Sequence, residues 1–261
     1  MTNSTQTPSF DTTQIVRMKR VPAALRDAGL EVPKSLNEAV HFANIQPSYS
    51  SVQAARNKLA SCSAKELDSV MAELANAYAV EMIAQHHPGF QAELERAKMN
   101  RLLDALQENE AELYNSLITA FNEHAERFTD AAHRLPDMAA GDAWNLTDDQ
   151  FDALRTARGT AAAMRPLWDA YLVLSGALGY ADPTGKDPAD YYAKIYMVSD
   201  PKDFGSVSRI AERWFAYDKN LDGAKAYKAI APFAQVVFGG ATLRLKHPNE
   251  ARALRAEQQG S

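Results

Sequence analysis

The most specific chemical signature in the sequence is an oxygen-rich loop that runs from Asp218 to Gly223. Asp218, Asn220 and Asp222 stand at positions 1, 3 and 5 of a calcium-binding loop, and Gly223 at position 6 permits the sharp turn. Position 12 is Ala229, where a calcium loop has a glutamate that supplies two oxygens. We therefore expect a helix–helix turn without tight calcium binding. Micromolar affinity in calorimetry that disappears in Asp218→Ala would contradict this expectation.

Histidine and cysteine residues form no recognisable metal or nucleophile motif. Glu38 and His41 make one Glu-x-x-His pair, whereas a di-iron bundle needs two such pairs and further glutamates. The single Cys62 precedes a predicted helix start, but no paired histidine that could activate it is identifiable from spacing. Nucleophile elbows, phosphate loops and dinucleotide fingerprints are also absent from the sequence. We assign no catalytic residue, metal or cofactor, although an enzyme site that converges only in three dimensions stays open.

Basic and aromatic residues alternate in the C-terminal half of the chain. Stacking surfaces beside cationic side chains are what single-stranded nucleic acid requires. The same aromatic residues, such as Trp214, also fit the spacing of a helical core. In the nucleic-acid interpretation, the phosphate-binding residues are Lys194, Lys202, Arg209, Arg213, Lys219, Lys225 and Lys228.

Helix signals dominate the elements that would position these residues. The chain has 46 alanines against 12 glycines and 12 prolines. Capping boxes at Ser35–Glu38, Ser63–Glu66 and Thr147–Gln150 mark helix starts. The segment 241–245 has strand character but no evident partner strand. We predict an all-α fold, a helical bundle with one long central helix or helical hairpin and a second helical subdomain.

Two apolar stripes stand out among the predicted helices. Leu67, Met71, Leu74, Tyr78 and Met82 are spaced by three and four residues. Residues 90–135 contain no proline or glycine, and their first apolar register, interrupted at Glu110, runs from Met99 to Leu117. A second register, offset by one residue, begins at Tyr114. Such a shift argues against a long ideal coiled coil. The most regular stripe follows the shift, and we predict it as a self-association seam made of Tyr114, Ile118, Phe121, Ala125, Phe128 and Ala132.

Charge divides the chain into three blocks. Residues 1–62 carry 7 basic and 4 acidic side chains (+3), residues 63–152 carry 6 and 18 (−12), and residues 153–261 carry 15 and 11 (+4), which gives the net −5. The predicted organisation is an arm plus acidic long-helix region over 1–135, a linker over 136–146, and an aromatic, mildly basic helical region over 147–261. An acidic block between basic ends can complement itself within one chain or between copies.

These features predict a non-catalytic, self-associating helical protein that serves as a structural or adaptor subunit of a larger assembly. A viral or phage particle is one assembly of this kind. The expected partners of the protein are further copies of the chain and other protein subunits. A helical coat or nucleocapsid-type protein that binds single-stranded nucleic acid is the first alternative, and an unrecognised helical enzyme or metal protein is the second. The single cysteine fits a cytoplasmic or particle-bound protein. The sequence contains no stretch of 18 apolar residues, so it predicts no membrane span.

Overall fold

The computed structural model describes residues 12–44, 50–63, 65–86, 88–136, 146–180, 188–218 and 228–259. The predicted N-terminal arm and most of the predicted 136–146 linker lie outside these ranges. Two compact units make up the chain, Met1–Val32 with Leu106–Ser261, and Pro33–Ala105. The division between them does not fall at the predicted linker, which stays a prediction.

Helices account for almost all regular structure in the described ranges, which confirms the all-α prediction. They are α1 (Thr12–Asp27), α2 (Lys34–Asn44), α3 (Ser50–Ser61), α4 (Leu67–His86), α5 (Pro88–Glu108), α6 (Glu110–His133), α7 (Asp148–Ala177), α8 (Pro188–Val198), α9 (Phe204–Asp218), α10 (Phe233–Phe238) and α11 (Pro248–Gln259).

The larger unit is built around α7, which packs on α6 and α1. Its 30 residues span about 45 Å at 1.5 Å per residue. The predicted capping box starts this helix: the Thr147 hydroxyl accepts from the Gln150 amide at 3.4 Å, and the Gln150 side chain accepts from the Thr147 amide at 3.0 Å. The sequence predicts a kink or a restart at Pro166, and the helix does not restart there but continues through that residue. The long central helix is therefore confirmed.

The proline-free segment 90–135 forms two helices. They meet at Asn109, whose backbone lies at φ −100° and ψ 4°. The break lies beside Glu110, the interrupted position of the first apolar register, whereas the one-residue shift at Tyr114 lies inside α6.

The stripe predicted as a self-association seam lies in the core of the larger unit. Tyr114, Phe121, Ala125, Phe128 and Ala132 are at most 1% exposed. They pack against side chains of the same unit. The rings of Phe121 and Phe128 meet the Phe233 ring edge-on, with 5.5 and 6.1 Å between the ring centres. Only Ile118 of the six is half-buried. This burial corrects the assignment of the seam to an interface between copies.

A short antiparallel sheet joins two distant parts of the larger unit. Strand β1 (Ser199–Asp200) pairs with β2 (Thr242–Leu243), so the strand-like segment 241–245 does have a partner. Next to β2, the buried Lys246 places its Nζ 2.6 Å from Asp200 Oδ1 and donates to the Ser199 carbonyl. Burial lowers the pKa of Lys246, and Asp200 opposes this effect. The ion pair between Lys246 and Asp200 therefore links the segment after β2 to β1.

The smaller unit contains α2, α3, α4 and most of α5, and α3 packs on α4. Lys58 Nζ on α3 lies 2.8 Å from Glu73 Oε1 on α4. Before α4, Glu66 accepts from the Ser63 amide at 3.0 Å, and this bond lowers the pKa of Glu66. A helix follows, but it begins at Leu67, so Ser63 and Glu66 both precede it and do not take the N-cap and N3 positions of the predicted box. At the other capping box, α2 already begins at Lys34, so Ser35 lies inside the helix.

Candidate interaction surface and candidate ligand groove

One face of α4 exposes four large side chains, Leu67, Met71, Tyr78 and Met82. Their exposed fractions are 44%, 49%, 40% and 59%. Since successive helical residues turn by about 100°, their spacing places all four within about 60° of one another. We call these four residues the α4 face. Isolated exposed apolar side chains are ordinary, but a contiguous row of this kind is typical of an interaction site.

Among the α4 side chains that the structure describes, the buried ones lie on one other side of the helix. Val70 and Ala77 are buried at 9% and 8% exposure on the side that the α4 face does not occupy. Val80 and Ile83 are also exposed, at 46% and 40%. Large apolar side chains therefore remain exposed on α4 beyond those that its packing on α3 covers.

Tyr78 is held in place within the α4 face by α3. The Arg56 guanidinium donates to the Tyr78 hydroxyl through Nε at 3.0 Å and also through Nη2. The same guanidinium lies 5.3 Å from the centre of the Tyr78 ring. Because one polar partner satisfies the hydroxyl, the rest of the ring can present apolar surface to a partner at a small cost in side-chain entropy.

A cluster of tyrosines is buried between α6, α7 and the C-terminal segment. The Tyr114 and Ser175 hydroxyls lie 3.1 Å apart, and the Tyr171 hydroxyl donates to the Lys246 carbonyl at 2.7 Å. Burial raises the pKa of both phenols far above their usual range. They therefore remain neutral at pH 7, and their hydrogen bonds satisfy buried polar atoms of the core rather than activate a nucleophile.

The basic residues of the nucleic-acid interpretation divide among several structural roles. Arg209 donates to Ser206 Oγ at 3.0 Å and to the Gly239 carbonyl at 3.4 Å. Lys194 Nζ lies 5.7 Å from the centre of the Tyr191 ring. Arg213 is half-buried, Lys202 and Lys228 are exposed, and Lys219 and Lys225 lie outside the described residues.

The aromatic residues among these bases include core residues. Trp214 is 5% exposed, and its indole donates to the Pro232 carbonyl at 2.9 Å. Tyr196 is 1% exposed. These two rings are therefore unavailable as stacking platforms in this structure. Tyr192 instead stacks on Phe204, with 5.9 Å between the ring centres.

A groove of about 1000 Å³ runs between α1 and α7 in the larger unit. Alanines and aliphatic side chains line much of it, and four arginines border it, two from each helix. The arginines are Arg17, Arg20, Arg158 and Arg165. Among the described residues of the lining, Asp27 and Asp169 are the acidic ones.

Backbone carbonyls position one of these arginines. Arg165 Nη2 donates to the Ala229 carbonyl at 3.2 Å and to the Ala231 carbonyl at 2.9 Å. Both bonds leave from Nη2, so neither uses the donors on Nε and Nη1. Partial burial raises the pKa of Asp169, and the Arg165 charge opposes this effect. The groove is therefore an environment that disfavours a carboxylate on the protein while it holds a guanidinium in a fixed position.

The residues considered for metal or nucleophile chemistry do not assemble into a site in the described ranges. No group of three His, Cys, Asp or Glu side chains there could hold a metal ion. Cys62 is half-buried, and its Sγ donates to the Leu59 carbonyl at 3.4 Å. Most of the calcium-like loop, residues 219–227, lies outside the described part of the chain. Of the described helices, none is long and apolar enough to cross a membrane.

No protein-family model, curated protein or solved structure matches this chain. The candidate sites therefore come from the geometry alone, and they are the α4 face and the α1–α7 groove. The sequence contained a signal for the first, the stripe from Leu67 to Met82. The groove arginines were missed, because α1 and α7 are far apart in the sequence and only their packing brings the four side chains together.

Proposed function

We propose that this chain is a non-catalytic helical subunit that self-associates through the α4 face. The observation that carries the proposal is the exposure of four large side chains, each at least 40% exposed, along one side of α4. A stripe of this kind is self-complementary, since two copies related by a twofold axis present the same surface to each other. No second protein is needed to cover it.

The size of the α4 face indicates the strength of the association. Full burial of a large apolar side chain is worth about 1.5–3 kcal/mol, so burial of the exposed half is worth about 1 kcal/mol. Two copies bury eight such side chains, which contribute about 8 kcal/mol. The entropic cost of association is about 4–15 kcal/mol. We therefore expect a reversible equilibrium that depends on protein concentration.

Light scattering after size-exclusion chromatography tests this proposal on the wild-type protein. The expected mass rises with concentration above 28.7 kDa, the mass of one chain. Most of this rise should persist in 1 M salt. Charge contacts between the acidic and basic blocks are screened there, since the Debye length falls from about 10 Å at 0.1 M to about 3 Å at 1 M, whereas apolar burial is not screened.

Absorbance at 260 and 280 nm in the same run distinguishes the nucleic-acid alternative. The proposal predicts an absorbance ratio of protein alone at every mass. Co-purified nucleic acid that leaves the protein in 1 M salt, together with dissociation to single chains, would favour the coat-protein alternative instead. A single chain at high concentration and low salt would contradict self-association itself.

A further inference from the structure

The methionines that the structure describes divide into two groups by exposure. The sequence has eight methionines, of which Met1 and Met138 lie outside the described residues. Met71 and Met82 are 49% and 59% exposed. The other four described methionines are at most 2% exposed, and they are Met18, Met99, Met164 and Met197. Both exposed methionines belong to the α4 face, where their spacing places the two side chains about 20° apart around the helix.

An exposed thioether is open to oxidation by hydroperoxides. The sulfur lone pair attacks one peroxide oxygen, the O–O bond breaks and an S–O bond forms. The sulfur is oxidised by two electrons, and hydrogen peroxide is reduced to water, which takes the proton of the attacked oxygen. The product is methionine sulfoxide, whose side chain is polar where the thioether was apolar. Because the peroxide must reach the sulfur, Met71 and Met82 should react before the four buried methionines.

Sulfoxides at these two positions would change the α4 face without changing the fold. In the single chain, both new oxygens stay hydrated, because both side chains are about half exposed. In a pair of chains joined through the α4 face, four sulfoxide oxygens would be buried. Of the four residues of that face, only Tyr78 carries a hydrogen-bond donor, so two copies supply two hydroxyl protons. At least two buried oxygens would therefore lack a donor from the face, which disfavours association.

We infer that Met71 and Met82 form a redox-sensitive modification site at which a hydroperoxide switches off self-association. The inference rests on the proposed function, because the modification acts on the same surface. The proposed equilibrium is reversible, so single chains expose both sulfur atoms to the oxidant. Association covers them, and their oxidation should therefore slow as the protein concentration and the mass rise together.

The test treats the full-length wild-type protein briefly with hydrogen peroxide, which catalase then removes. Peptide mapping by mass spectrometry should find Met71 and Met82 oxidised at least tenfold faster than the four buried methionines. Sedimentation equilibrium should show self-association weakened at least tenfold, with an unchanged circular dichroism spectrum. Methionine sulfoxide reductases for both sulfoxide epimers, supplied with dithiothreitol, should restore the association, as the oxygen leaves as water and dithiothreitol becomes a disulfide. Dithiothreitol alone, which reverses disulfides of Cys62, should not restore it.

Met71→Leu combined with Met82→Leu is the matched variant, since leucine has a similar apolar volume and no sulfur to oxidise. It should self-associate as the wild type does and keep that affinity after peroxide treatment. The variant retains Met1, Cys62 and Met138. Loss of its association after treatment would assign the effect to those residues and overturn the inference.

The same measurements separate this inference from the proposed function. A wild-type protein that is a single chain before treatment would contradict the proposed function, and the inference with it. Self-association that survives complete oxidation of Met71 and Met82 would overturn the inference alone. Equal oxidation rates at the exposed and buried methionines would do the same. So would an oxidation rate of Met71 and Met82 that stays constant while the mass rises with concentration, because a second copy on the α4 face must shield them.

Discussion

Replacing Phe121 and Phe128 together with serine is expected to unfold the larger unit and not to release a folded monomer. Both rings are fully buried and both contact Phe233. Loss of one buried phenylalanine side chain costs about 3–5 kcal/mol, and two such losses approach the total stability of 5–15 kcal/mol that is typical of a folded protein. Because the two rings share Phe233, the combined cost will differ from a simple sum.

Thermal melting followed by far-ultraviolet circular dichroism measures this effect. The double variant should have lost most of its helical signal at 25 °C. Phe151→Ser is the matched control, because Phe151 lies on α7 but is 51% exposed, so its replacement should change stability by no more than about 0.5 kcal/mol. A double variant that is folded, soluble and monomeric would show that the Tyr114–Ala132 stripe is an interface after all.

The two apolar stripes show what sequence periodicity can predict. Both the stripe on α4 and the stripe on α6 have the spacing of a helix face, and both segments are helical. Periodicity reports that a helix has an apolar side, but it does not report what covers that side. The more regular stripe, which includes Phe121, is covered by the protein's own core. The less regular one, which includes Met71, is exposed.

Contacts between residues that are far apart in the sequence could not be predicted from local patterns. The strand around Thr242 had no visible partner, because Ser199 and Asp200 lie more than forty residues earlier and are only two residues long as a strand. Likewise, Arg20 and Arg165 belong to one groove only because α1 packs on α7. Local signals were more successful. The Thr147–Gln150 capping box depends only on residues three apart, and it forms as predicted.

Met71→Glu is expected to produce a folded protein that no longer self-associates. In the single chain, the new carboxylate stays hydrated, because Met71 is 49% exposed. In an association of two copies through the α4 face, two such carboxylates would be buried in an apolar contact without partners. Desolvation of unpaired charges costs several kcal/mol, so the affinity should fall at least 100-fold, which corresponds to about 3 kcal/mol.

Val80→Glu is the matched control for this prediction. Val80 lies on the same helix, is 46% exposed and would acquire the same charge. Nine residues separate it from Met71, which places it about 180° around the helix from that side chain. The two variants therefore change net charge equally, and they differ in whether the new carboxylate lies on the α4 face. Val80→Glu also raises helix propensity slightly, so loss of helix cannot explain a difference in its association.

Sedimentation equilibrium of the wild type, Met71→Glu and Val80→Glu over a wide range of concentrations tests self-association through the α4 face most directly. The masses of the wild type and Val80→Glu should rise together above 28.7 kDa. The mass of Met71→Glu should stay at that of one chain, with an unchanged circular dichroism spectrum. A wild-type protein that remains a single chain at every concentration would contradict the account, and so would two variants that change the mass alike.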